Sequence, residues 1–115
     1  MPVGSIMAYG GTTTPEGWLM CDGTSYSQST YPDLFVAIGT AFGGDGSNFN
    51  VPDFKGRFLR GVDLPKSGLD PDSGARTPMA TGGATADAAG SVQSDDFKSH
   101  THTTTPTNFF NCAYA

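Results

Sequence analysis

Residues 42–60 read Phe42-Gly43-Gly44-Asp45-Gly46-Ser47-Asn48-Phe49-Asn50-Val51-Pro52-Asp53-Phe54-Lys55-Gly56-Arg57-Phe58-Leu59-Arg60. Gly, Asp, Ser and Asn fill the stretch between Phe42 and Phe49, and these residues favour turns for backbone reasons, so a loop held between aromatic side chains is expected there. Phe58-Leu59-Arg60-Gly61-Val62 then reads as a strand. Upstream, Pro32 to Ile38 is the one good helical segment: Leu34, Phe35 and Ile38 fall on one face at i, i+1 and i+4. Pro32 suits the first helical position, Asp33 complements the positive N-terminal end, and Gly39 supplies the stop. Further upstream, Val3, Ile6, Met7 and Tyr9, and then Trp18-Leu19-Met20-Cys21, form two short apolar runs. They read as two strands joined by the turn-rich stretch Gly10 to Gly17.

Downstream of this region the pattern fades. From Leu64 to Ala89 there is neither helical nor strand periodicity, which reads as a linker or as a segment ordered by other chains. Val, Ile, Leu, Met, Phe, Trp and Tyr number 21 in residues 1–63 and 8 in residues 64–115. A chain of 115 residues with 16 Gly and 8 Pro leaves little room for long helices, and one small domain is the upper bound. At 37% hydrophobic, 11% aromatic and 15% charged, it is too apolar for a typical disordered chain and lean for an independent core. The second half therefore needs partner surface or a metal to order it.

Net charge −5 and an isoelectric point near 4.5, with dispersed Lys and Arg, argue against nucleic acid or an anionic membrane as a partner. No run approaches the roughly 20 apolar residues of a membrane span, so no membrane insertion is expected. Met1-Pro2-Val3-Gly4-Ser5 lacks the features of a general secretory signal. Cys21 and Cys112 lie almost at opposite ends; Cys21 sits in an apolar run, where a free buried thiol is the expected state.

Five blocks together resemble the phage tail collar domain of short tail fibres and related receptor-binding fibres. They are Pro2-Val3-Gly4-Ser5-Ile6, Gly17-Trp18-Leu19-Met20-Cys21-Asp22-Gly23, Tyr31-Pro32-Asp33-Leu34-Phe35-Val36-Ala37-Ile38-Gly39, Gly44-Asp45-Gly46, and Phe49 through Arg60, in the family's order over residues 2–63. Gly90-Ser91-Val92-Gln93-Ser94-Asp95 resembles the family's Gly-Ser-x-Gln-x-Asp element. Ser99-His100-Thr101-His102-Thr103 resembles its metal-binding His-x-His element.

His100 and His102 are the one pair with metal-ligand character, since residues two apart share a face in an extended segment. One chain supplies two imidazoles, whereas zinc takes four ligands and an octahedral metal six. Threefold repetition closes such a shell; the other reading of the spacing is two exposed histidines in a Thr-rich tail. The resemblance implies the metal: homotrimers whose His-x-His pairs meet on the axis around iron or zinc, one ion per trimer. A saturated imidazole shell is structural rather than catalytic, and acid-labile because the imidazoles must be neutral to bind.

Other constellations carry less. Asp45 to Asn50 has calcium-like oxygens but no EF-hand completion, so turn chemistry is preferred. Trp18 is read as core before sugar platform, and Asp53, Arg57 and Arg60 as a structural ion-pair set. No nucleophile elbow or dinucleotide loop is present, and no enzyme is expected. A small metal-dependent hydrolase using Asp95, Asp96 and His100 is the remote alternative.

The sequence thus leads to a mixed α/β (α+β) fold of low helix content. A collar domain at 1–63 is followed by an irregular, intertwined homotrimeric tip at 64–115, with Phe97, Phe109, Phe110 and Tyr114 buried against their symmetry copies. The resemblance implies a structural and adhesive module of a virion tail fibre that attaches to a bacterial surface glycan or lipopolysaccharide. A fibre carried at the surface of a bacterium is the alternative setting. The chain runs only 13 residues past His102, which favours the competing reading of a fibre cap or trimerisation module without receptor contact.

Overall fold

The computed structural model describes residues 1–95, 101 and 102. Their order of elements is β1 (Ser25–Ser27), α1 (Pro32–Ile38), β2 (Asn48–Asn50), a 3-10 turn at Ser73–Ala75, β3 (Thr77–Pro78) and β4 (Ser91–Val92). The low helix content and small antiparallel sheets agree with the mixed α/β class read from the sequence.

Helix α1 spans the residues that the spacing predicts, with Pro32 at its start and Asp33 in its first turn. Gly39 ends it at φ +54°, and its N–H reaches the Phe35 carbonyl at 2.7 Å. The helix turns Phe35 inward, 5.6 Å from the Phe49 ring, while Val36 stays 84% exposed. Phe49 is fully buried on β2, and with Val51 it makes up the buried apolar core among the described residues.

β1 and β2 pair antiparallel, Tyr26 facing Phe49. The same register extends both ways through backbone hydrogen bonds: Gln28 N–H to Ser47 O at 3.0 Å, Val51 N–H to Thr24 O at 3.1 Å, Gly23 N–H to Pro52 O at 3.1 Å and Phe54 N–H to Cys21 O at 3.0 Å. This ladder, which the Ser- and Asn-rich strands do not advertise, is the spine of the first half.

Three expectations change. The runs Val3 to Tyr9 and Trp18 to Cys21 do not form the predicted strands. Their local bonds are turns, such as Ser5 N–H to Pro2 O and Trp18 N–H to Pro15 O, and Val3, Ile6, Met7, Tyr9 and Met20 remain exposed. An apolar run becomes a strand only where a ladder partner is available, and here the register recruits residues 21–28 instead. Phe58 to Val62 likewise makes no strand pairing among the described residues.

Finally, the aperiodic stretch after Leu64 is not a featureless linker. β3 pairs with β4, Thr77 facing Val92. Gly44 N–H bonds Thr81 O at 3.0 Å, and Ala84 N–H bonds Ala41 O at 2.8 Å, so this stretch packs backbone to backbone on the first half. Small residues make that approach possible. A Cβ on Gly82, at φ +80°, would lie 2.3 Å from the Gly44 oxygen, and one on Gly90, at φ +97°, 2.3 Å from the Ala41 oxygen. Gly82→Ala or Gly90→Ala is expected to cost about 1–3 kcal/mol through overpacking and left-handed strain, read as a lower urea midpoint at unchanged m-value.

Candidate functional site

Polar side chains cluster along the seam between the two halves. Asp53, on the strand-like extension of β2, receives Arg57 Nη1 at 3.3 Å and Lys55 Nζ at 3.6 Å, and its carbonyl accepts from Arg57 at 2.7 Å. Arg60 does not join this set. Its guanidinium reaches across to Asp70 Oδ1 at 3.0 Å and donates to Gln93 Oε1 at 2.6 Å. The expected trio therefore splits into an Asp53–Arg57 pair and a separate Arg60 tether.

That tether leads to a buried ionic cluster which the sequence reading missed. Arg76, with its side chain 4% exposed, pairs closely with Asp70 and lies 3.7 Å from Asp87. The Asp70 and Asp87 side chains are themselves 6% and 7% exposed. Asp87 also accepts the Asp63 N–H at 2.9 Å, and Asp63 in turn gathers Ser67, Gly68 and Asp70 N–H groups around its carboxylate. A lone Arg among carboxylates in a chain with only 15% charged residues is the signal that could have been noticed.

The glycine loop behaves as turn chemistry. Asp45 accepts N–H groups from Ser47 at 2.7 Å and Asn48 at 2.8 Å, and these bonds hold its carboxyl below the usual range. The Ser67 hydroxyl does the same for Asp63, against the opposing effect of desolvation and with help from the Ser67, Asp70 and Gly68 N–H groups. A carboxylate whose pKa is lower folded than unfolded adds stability above its unfolded pKa, near 4, and loses it as pH falls through the folded value. The urea midpoint is thus expected to drop as pH is lowered below about 4, and Asp45→Asn to flatten that drop.

Trp18 is half-buried and lines an apolar cleft of about 780 Å³ with Val3, Tyr31, Leu34, Ile38 and the core residue Val51. Cys21 is a free thiol, its pKa pushed up by burial and by the neighbouring Asp22 carboxylate. His102 is exposed. His100, Asp96, Phe97, Phe109, Phe110, Cys112 and Tyr114 lie outside the described residues. Among the described residues no group of three or more His, Cys, Asp or Glu is placed to hold a metal ion, and no helix is long and apolar enough to cross a membrane.

This arrangement of short ladders, glycine contacts and an ionic seam builds a scaffold. Residues 4–59 match the family model of the Phage Tail Collar Domain, and this part of the chain belongs to that family. The chain is 38% identical over 91 residues to Protein RhiB of Rhizobium leguminosarum bv. viciae, covering 76% of this chain and 41% of that protein. It is 32% identical over 107 residues to Short tail fiber protein gp12 of Enterobacteria phage T4, covering 89% of this chain and 20% of the relative. A third relative, Putative uncharacterized protein StfE of Escherichia coli strain K12, is 35% identical over 89 residues, or 77% of this chain and 44% of the other. The chain therefore spans less than half the length of each. No solved structure matches it. The domain and its tail-fibre relative mark the chain as a structural module of tail-fibre type.

Proposed function

We propose that the chain is the terminal or near-terminal module of a homotrimeric virion tail fibre, structural and adhesive, attaching to a glycan of the bacterial envelope. The observation that carries the trimer is the state of the apolar surface: Phe49 and Val51 are buried, while among the described residues twelve large apolar side chains, from Val62 at 41% to Phe58 at 100%, lie exposed on the single chain. At those exposures they leave on the order of 1,000 Å² of apolar surface in sum, comparable to the about 800 Å² each partner gives to a stable interface. A trimer supplies the missing cover. Tail-fibre relatives support the virion setting; the relatives from Rhizobium and Escherichia coli favour, as a second reading, a fibre carried by a bacterium.

In this reading His100 and His102 of three chains hold one iron or zinc ion on the axis, with a structural role. The fit rests on the spacing of the two histidines and on the exposed position of His102. Native mass spectrometry with metal analysis tests both parts: three chains with one metal are expected, and a monomer with one metal per chain would sink the proposal. Replacing both histidines with Ala is expected to lower the trimer dissociation temperature by roughly 10 °C or more, since a structural metal adds its binding free energy to the assembled state. Whole-cell binding by the assembled trimer separates an adhesive tip from a cap without receptor contact.

A further inference from the structure

The cleft that Trp18 lines is built on short, local bonds that fix its shape. Ser5 N–H and Ser5 Oγ both donate to the Pro2 carbonyl, at 3.1 and 2.7 Å, and hold the Pro2–Ser5 turn. Trp18 N–H closes a second turn onto the Pro15 carbonyl at 3.2 Å. The Tyr31 ring stands edge-on to Tyr26, with centroids 5.2 Å apart. Leu34, Ile38 and Val51 add apolar lining, and at about 780 Å³ the cleft falls within the size range of small-molecule sites.

Polar groups on that lining are unused by the fold. The Trp18 indole N–H, the Thr30 and Tyr31 hydroxyls and the Asp33 carboxylate make no hydrogen bond to another described residue. Among the described residues no Lys, Arg or His side chain lines the cleft, so Asp33 is its one charged side chain.

We propose that this cleft binds a neutral pyranose unit of the envelope glycan, with Trp18 and Tyr31 offering ring faces and Asp33 and Thr30 meeting the sugar hydroxyls. This deepens the adhesive reading and rests on it. A pyranose is apolar on its C–H faces and both donates and accepts hydrogen bonds around its rim. The cleft holds the matching mixture: apolar walls, an indole that only donates, a carboxylate that only accepts, and hydroxyls that do both. Other occupants fit less well. An acyl chain would bury these groups without partners. A phosphate or an acidic sugar would face the Asp33 carboxylate with no cationic side chain to offset the repulsion. An ammonium head would use Asp33 and the aromatic faces but give the Trp18 N–H no acceptor. The fixed turns lower the ordering cost of binding.

The chain has a single Trp, so its fluorescence reports on the cleft directly. The full chain is titrated with methyl glycosides of glucose, galactose, mannose and N-acetylglucosamine, and with glucose 6-phosphate and choline as contrasts. A saturable change is expected with at least one neutral glycoside. Asp33→Ala is expected to raise the half-saturation concentration about tenfold or more, as the loss of a charge-assisted hydrogen bond does, and Thr30→Val to raise it by a smaller factor. Both side chains are exposed and unbonded, so neither change removes a contact of the fold. Saturation by choline alone, tighter binding of glucose 6-phosphate than of the glucose glycoside, no saturable change with any neutral glycoside, or an unchanged half-saturation in both variants would each overturn the proposal. Whole-cell binding separates this cleft from adhesion as such. Cells bound equally by the unmodified chain and by Asp33→Ala remove the cleft and leave adhesion standing, whereas cells bound by neither remove adhesion itself.

Discussion

Arg76→Ala is expected to destabilise the chain by about 3–5 kcal/mol, because it leaves the buried Asp87 without a cation and the buried Asp70 with only the half-exposed Arg60. The cluster is already imperfectly satisfied. Asp70 Oδ1, Arg76 Nε and Asp87 Oδ2 are buried without a hydrogen-bond partner, although Asp70 Oδ1 keeps its ion pair with Arg60. With so little compensation in reserve, removing Arg76 exposes much of the desolvation cost of Asp87 and part of that of Asp70. The triple variant Arg76→Met, Asp70→Asn, Asp87→Asn discriminates charge from packing: if the loss comes from the stranded charge, it recovers most of it. Urea unfolding at fixed protomer concentration measures both, and a shift below about 1 kcal/mol for Arg76→Ala would show that the seam is solvated. Fixed concentration matters because assembly adds to apparent stability.

Phe49→Ala is the second large effect, expected at about 3–5 kcal/mol. Phe49 is the one large side chain that is fully buried among the described residues; it meets Phe35 from the helix and sits in the centre of the β1–β2 ladder. Few other apolar contacts can collapse into the space, since beside Phe49 only Val51 and Pro52 are buried apolar side chains among the described residues. For a small domain whose whole stability is typically 5–15 kcal/mol, such a loss leaves the first half marginal, and near-ultraviolet circular dichroism of the aromatic cluster reports it. Phe58→Ala gives the contrast, because Phe58 has nothing to lose in the isolated chain: its monomer stability is expected to stay within about 0.5 kcal/mol.

These two sites differ in how far they could be foreseen. Helix α1 was legible because its signals are local: Pro32, Asp33 and Gly39 each act on their own turn. The Asp45 loop was legible for the same reason, its carboxylate bonding N–H groups two and three residues on. The five collar blocks carried the family through order and spacing, and the family model covers residues 4–59. The strands were missed because Ser25–Ser27 and Asn48–Asn50 are three residues each with a single apolar side chain, Tyr26 or Phe49, too short a pattern to read; they are strands by pairing, with Phe49 entering the core. Val3 to Tyr9 and Trp18 to Met20 were misread for the converse reason, being apolar without a ladder partner; of these two runs Cys21 reaches the ladder, opposite Phe54.

Arg60 shows the same limit at the level of the seam. Sequence proximity joined it to Arg57 and Asp53, yet a long side chain on an unbent segment reaches residues 10 and 33 positions away. Gly82 looked like linker composition and Gly90 opened the Gly-Ser-x-Gln-x-Asp element, and their packing role appears only when the Gly44 and Ala41 carbonyls are brought against them.

The sequence by itself determined the helix, the glycine loop, the collar family and the shortage of apolar residues in the second half, since each is a property of neighbours along the chain or of composition. Tertiary structure alone decided the Cys21–Gln28 against Ser47–Phe54 register, the Asp70–Arg76–Asp87 seam and the exposure of Phe58 and Leu59. Those depend on contacts between residues far apart in the chain, whose energies come from burial and charge pairing that no local pattern encodes.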